Sequence, residues 1–133
     1  MRLLFILLLT LSSLYAYEME EDYGVALHKA KIAHKPLLAY LYMLNCHTCE
    51  YMNKSVFTDP KIIEYLDKHY VVVHLYTNDK SLPADFRVDV SPVFHFINSA
   101  DGEMLESIMG GRNPEKFLAL LKSSYEDFLE EQK

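Results

Sequence analysis

Two cysteines, Cys46 and Cys49, lie where an apolar run of the chain gives way to a helical pattern. The run, residues 37–44, lacks polar alternation, which is typical of a strand covered on both faces. The residues after Cys49 continue at helical spacing, so the pair is expected at a helix start. Free N–H groups and the positive end of the helix dipole favour a thiolate there. Thiolate is the nucleophile in disulfide exchange, so the pair is a candidate redox site.

The first sixteen residues have the pattern of a secretory signal peptide. Arg2 supplies a positive charge, residues 3–11 form an apolar segment interrupted only by Thr10, and Ala16 is a small residue at a cleavage position. A membrane anchor is the alternative, although the apolar segment is shorter than the roughly 20 residues that span a bilayer. We expect a cleaved signal peptide over residues 1–16 and one domain over residues 17–133.

Charge and cysteine content limit the possible functions. The chain has 13 Lys and Arg against 19 Asp and Glu, a formal net charge of −6. The basic residues form no cluster, which excludes nucleic acid as the main partner. Export would place both cysteines where disulfides persist, so a purely structural staple is an alternative. A loop of four residues would stabilise the fold by only about 2 kcal/mol, which argues against that alternative.

The spacing of apolar residues predicts the order α, β, α, β, short helical turn, β, β, α. Asp59-Pro60 and Asn113-Pro114 each combine an N-cap with a proline at the first helical position, and so mark two helix starts. The first helix is predicted over residues 20–33. Strands are predicted over four segments, the last two forming a hairpin: residues 37–44, 70–76, 93–97 and 104–109.

These segments together resemble a thioredoxin-like domain, specifically those similar to the periplasmic C-terminal domain of the disulfide reductase DsbD. The matching segments are Cys46-His47-Thr48-Cys49 after a strand, residues 55–60 opening the next helix, Val90-Ser91-Pro92 entering a strand, and Gly110-Gly111 before the last helix. The resemblance implies an α/β thioredoxin-like fold, with a central mixed four-stranded sheet and helices on both faces. It implies a thiol-disulfide oxidoreductase with no cofactor or metal beyond a redox-active Cys46–Cys49 disulfide.

The resemblance also suggests roles for the residues of the site. Cys46 is expected to be the attacking thiol and Cys49 the resolving thiol. Ser91 and Pro92, with Pro92 in the cis form, would bind a substrate in an extended conformation. His47, when protonated, would stabilise the thiolate of Cys46 and so make the pair more oxidising.

Two positions shortly before Cys46 depart from the family pattern. Asn45 replaces the usual tryptophan before the first cysteine. Tyr40 replaces the carboxylate that, in thioredoxins, assists proton transfer from the second thiol. Glu50 or a water is therefore the candidate for that transfer.

The location and partners follow from export and from the resemblance. We expect a periplasmic reductase or thiol carrier rather than an oxidant, acting as a monomer on proteins with disulfides or thiols. A membrane protein is one candidate electron donor. The alternative is a chaperone for Cu(I) or another soft metal, using Cys46, His47, Cys49 and a third ligand from elsewhere. His74 and His95, inside predicted strands, are expected to be neutral, hydrogen-bonded core residues.

Overall fold

The computed structural model describes residues 17–133, so the predicted signal peptide lies outside the described residues. Four strands form one sheet in the order β2-β1-β3-β4. β1 pairs with β2 in parallel and with β3 antiparallel, and β3 pairs with β4 antiparallel, so the predicted mixed sheet is confirmed. The strands are β1 (Leu37–Tyr42), β2 (Val71–Tyr76), β3 (Val93–Ile97) and β4 (Met104–Met109).

Four α-helices and two short helical segments connect and cover the sheet. The helices are α1 (Tyr23–Ala33), α2 (His47–Tyr51), α3 (Pro60–His69) and α4 (Pro114–Glu131), with a π-helix at Met52–Val56 and a 3₁₀ turn at Ala84–Phe86. Asp59 and Asn113 cap α3 and α4 through their side chains, as predicted. Within residues 17–133, no helix has the length and apolar character needed to cross a bilayer.

The first helix starts later than the predicted residue 20. Asp22 is its N-cap, and its carboxylate accepts a hydrogen bond from the N–H of Val25 at 2.9 Å. Glu20 instead forms a parallel bridge beside Val73 at the edge of β2. Pairing with a strand fifty residues away is a tertiary contact, which helical spacing in the sequence cannot reveal.

The strand before the cysteines ends at Tyr42 rather than at the predicted residue 44. β2 ends opposite Tyr42, and β3 begins opposite Leu41. Beyond this point the chain has no strand on either side to pair with, so the apolar run continues into an exposed turn at Leu44.

The core lies on both faces of the sheet, which accounts for the continuous apolar run. Leu38 and Tyr40 point to the face covered by the π-helix, α3 and α4. Leu37, Ala39 and Leu41 point to the opposite face, which is covered by α1 and the 3₁₀ turn. β1 is therefore an internal strand buried on both faces, and its carboxyl end leads to the cysteine pair.

Candidate active site

Cys46 and Cys49 are joined by a disulfide, with their Cα atoms 5.2 Å apart. Cys46 is the N-cap of α2, and its Sγ accepts a hydrogen bond from the N–H of Cys49 at 3.1 Å. Cys46 is partly exposed, whereas Cys49 is only 4% exposed. The predicted helix-start position is confirmed, and Cys46 is the sulfur that a partner protein can reach.

The residue before Cys46 lies in an unusual backbone conformation. Asn45 has φ +57°, in the left-handed region that Asn adopts more readily than most residues. Its side chain and that of Leu44 are exposed. The replacement of the family's tryptophan by Asn45 therefore suits the turn that brings Cys46 to the helix start.

Ser91 and Pro92 lie at the same end of the sheet as the cysteine loop. The peptide bond between them is cis. β3 begins just after Pro92, opposite Leu41 near the end of β1. Among the described residues, neither the N–H nor the C=O of Ser91 has a hydrogen-bond partner, whereas the C=O of Pro92 accepts from the N–H of Gly110 at 2.8 Å. Ser91 thus has a free backbone donor and acceptor.

The Gly110-Gly111 turn packs directly against the residues between the two cysteines. A Cβ on Gly111 would lie 2.6 Å from Cγ2 of Thr48 and 3.4 Å from Sδ of Met52. The first distance is far inside van der Waals contact. The absence of a side chain at Gly111 is therefore what allows this turn and α2 to approach each other.

We expect Gly111→Ala to lower the free energy of unfolding by about 1 kcal/mol, because the added methyl overpacks the contact with Thr48. Thr48→Ala should remove most of that loss, since it deletes the methyl that would clash. Denaturant unfolding of the two single variants and the double variant measures the coupling between the sites. Strictly additive changes would show that this contact does not limit the approach of the turn.

Tyr40 lies beneath α2, where the family pattern has a carboxylate. Its hydroxyl lies 3.2 Å from the carbonyl oxygen of Cys49 and 3.1 Å from Oδ1 of Asn53. The ring is fully buried and stacks on His74 and Phe57, with centroid distances of 4.4 and 4.9 Å. Burial raises the pKa of Tyr40 well above its usual value of 10, so the phenol stays neutral and does not act as a base.

His47 and Glu50 lie on the exposed side of α2. Neither side chain hydrogen-bonds to another described residue, so nothing in residues 17–133 fixes either group relative to the sulfurs. Their roles in redox tuning and proton transfer remain predictions. In that same part of the chain, no three His, Cys, Asp or Glu side chains are placed to hold a metal ion, and no third ligand for the cysteine pair is found.

The two strand histidines differ from each other. His95 is buried as predicted, and its ring nitrogens lie 2.9 Å from Oγ of Ser107 and 2.9 Å from the carbonyl oxygen of Phe86. The prediction of a hydrogen-bonded ring is wrong for His74, because its Nε2 is buried without a partner among the described residues. The ring packs against Tyr40 and Tyr42, with centroid distances of 4.4 and 4.3 Å, and no described residue offers that nitrogen a hydrogen bond.

Comparison with known proteins identifies the family of this chain. A family model described as a thioredoxin-like domain matches residues 23–124. The solution structure of a thioredoxin from Thermus thermophilus is 26% identical in sequence, with a TM-score of 0.68. The match covers 80% of this chain and 86% of the thioredoxin chain. None of the curated proteins matches the sequence.

Two further solved structures share the fold at lower identity. The oxidised C-terminal domain of DsbD from Neisseria meningitidis is 18% identical, with a TM-score of 0.61. The match covers 80% of this chain and 99% of the DsbD chain. A DsbH oxidoreductase is 20% identical, with a TM-score of 0.61. The match covers 84% of this chain and 88% of the DsbH chain. The match of the family model to most of the chain, and a Cys-x-x-Cys disulfide at the start of a helix, show that this protein belongs to the thioredoxin-like family and is a thiol-disulfide oxidoreductase.

Proposed function

We propose that this protein is exported to the bacterial periplasm and acts there as a reductase or thiol carrier for disulfides of other proteins. The observation that carries the exchange chemistry is the partly exposed Sγ of Cys46, which accepts a hydrogen bond from the N–H of Cys49. The same N–H would stabilise the thiolate of the reduced protein. The signal-peptide pattern of residues 1–16 supports export.

The reaction has two exchange steps. The thiolate of Cys46 attacks one sulfur of a partner disulfide, forming a mixed disulfide, and the other partner sulfur leaves as a thiolate. Cys49 then loses its proton and attacks Sγ of Cys46. The Cys46–Cys49 disulfide forms, the mixed disulfide breaks, and the second partner sulfur leaves as a thiolate. The partner gains two electrons, and the cysteine pair is oxidised.

The surroundings of Cys46 suit an extended protein segment as substrate. The free N–H and C=O of Ser91 can pair with the backbone of such a segment in the manner of an added strand. Three apolar side chains lie exposed on the segments that adjoin the site, namely Leu44, Val90 and Met109, at 74%, 40% and 65%. Exposed apolar side chains beside the cysteines can contact the apolar side chains of unfolded or flexible protein chains.

The direction of electron flow is tested by the reduction potential in glutathione buffers. We expect a value nearer to the roughly −270 mV of thioredoxin than to the roughly −120 mV of DsbA. A potential above about −150 mV would make the protein an oxidant and overturn the proposed direction. At a pH where His47 is protonated, His47→Ala should shift the potential by about 10–20 mV to more negative values, because the reduced form loses a stabilising positive charge.

A further inference from the structure

The resolving cysteine is connected to the protein surface through two side chains. The Tyr40 hydroxyl, which is buried, lies within hydrogen-bond distance of both the Cys49 carbonyl oxygen and Oδ1 of Asn53. Asn53 follows Cys49 by four residues, so both side chains lie on one side of the helical segment. Unlike Cys49 and Tyr40, Asn53 is exposed to solvent. Tyr40 and Asn53 thus join the first turn of α2 to solvent.

A cavity of about 340 Å³ opens beside this connection. Its lining includes Tyr17, Met19, Asn53, Thr58 and His74. The unpaired Nε2 of His74 marks this region as one where a polar group needs a partner. Glu21 is the charged residue of the cavity lining, and it is exposed.

The chemistry of the second exchange step requires an acceptor for the proton of Cys49. Among the described residues, the buried polar side chains include no carboxylate. Tyr40, neutral because burial raises its pKa, does not take up the proton. Glu50 and water remain the candidate acceptors, so the groups that hold the first turn of α2 in place matter for this step.

We propose that Tyr40 and Asn53 are positioning residues, which hold the first turn of α2 so that Cys49 is in place for the second exchange step. The inference rests on the proposed function. In that step the Cys49 thiol gives its proton to water or Glu50, and the sulfur electron pair forms the bond to Sγ of Cys46. The bond between Cys46 and the partner breaks, and its electron pair leaves with the partner sulfur, which takes a proton from solvent.

The test separates the two exchange steps in the full-length protein. The reduced protein is mixed rapidly with a small peptide disulfide and quenched in acid, and the mixed disulfide is quantified by mass spectrometry. We expect Tyr40→Phe to slow the decay of the mixed disulfide about five- to tenfold, the rate equivalent of one hydrogen bond. Its formation, which depends on Cys46, should change less than about twofold. Asn53→Ala, at an exposed position that tolerates truncation, should slow the same step.

Tyr70→Phe is the matched control. Tyr70 is also buried, and its hydroxyl donates to the carbonyl oxygen of Leu121 at 2.7 Å, so the variant loses the same kind of hydrogen bond away from the cysteines. Normal decay in this variant would support a positioning role for Tyr40. Equal slowing in Tyr70→Phe, or normal decay in Tyr40→Phe and Asn53→Ala, would overturn the inference and leave the proposed function standing. If the wild-type protein forms no mixed disulfide, both fail.

Discussion

Cys49→Ala should accumulate mixed disulfides with partner proteins, whereas Cys46→Ala should form none. In the first variant Cys46 keeps its exposed position and can attack, but no second thiol is present to displace the partner. In the second variant the remaining cysteine is only 4% exposed in the native protein, so a partner disulfide cannot reach it. Reduction of a protein disulfide such as that of insulin should fall to the uncatalysed rate in both variants.

The measurement is purification of each variant from cells after acid quenching, followed by identification of the attached proteins. The two variants control for each other, because each lacks the disulfide and retains one thiol. If the protein is exported, the trapped partners should be exported proteins. Partners captured by Cys46→Ala instead of Cys49→Ala would reverse the roles that we assign to the two cysteines.

The helix starts, including the one that carries the cysteine pair, were predictable from the residues immediately around them. The cysteine pair lies at a helix start because a buried strand precedes it and helical spacing follows it. The starts of α3 and α4 were predictable because an N-cap and a proline stand together at each of them. Such signals act within a few residues, so they do not depend on the rest of the fold.

The family resemblance indicated Tyr40, but the contacts beneath Cys49 were not predictable, because they depend on strand register. Tyr40 and His74 lie directly opposite each other in the parallel pairing of β1 with β2, and a shift by one residue would move either ring to the other face. Asn53 meets the Tyr40 hydroxyl at the point where the helix widens into a π-helix. Only its spacing of four from Cys49 could have indicated Asn53, and that spacing also fits an ordinary surface residue.

His74, which this strand register places beside Tyr40, makes the free energy of unfolding depend on pH. Burial lowers the pKa of His74 from 6.5 to about 4. Above pH 6.5 the ring is neutral in both the folded and the unfolded chain. Between pH 6.5 and pH 4 the unfolded chain binds a proton that the folded chain does not, so the free energy of unfolding falls as the pH is lowered through this range. Below about pH 4 both states carry the proton, and this contribution levels off.

His74→Phe should therefore flatten the loss of stability between pH 6.5 and pH 4. At about 1.4 kcal/mol per pKa unit, the shift corresponds to roughly 3 kcal/mol, which partial exposure of the ring reduces to about 2 kcal/mol. Phenylalanine preserves an aromatic ring against Tyr40 and Tyr42 but cannot bind a proton. Part of the slope should remain, because burial also lowers the pKa of His95.

Denaturant unfolding at several pH values, with His28→Gln as control, measures this difference. His28 is exposed on α1, so its replacement controls for the removal of one histidine outside the sheet. Glu21 lines the same cavity as His74, and Glu20, whose side chain forms an ion pair with Lys29, accepts a backbone hydrogen bond from the N–H of His74. A carboxylate in contact with the ring would favour its protonated form and oppose the effect of burial. An unchanged slope in His74→Phe would show that burial of His74 does not set the loss of stability in this pH range.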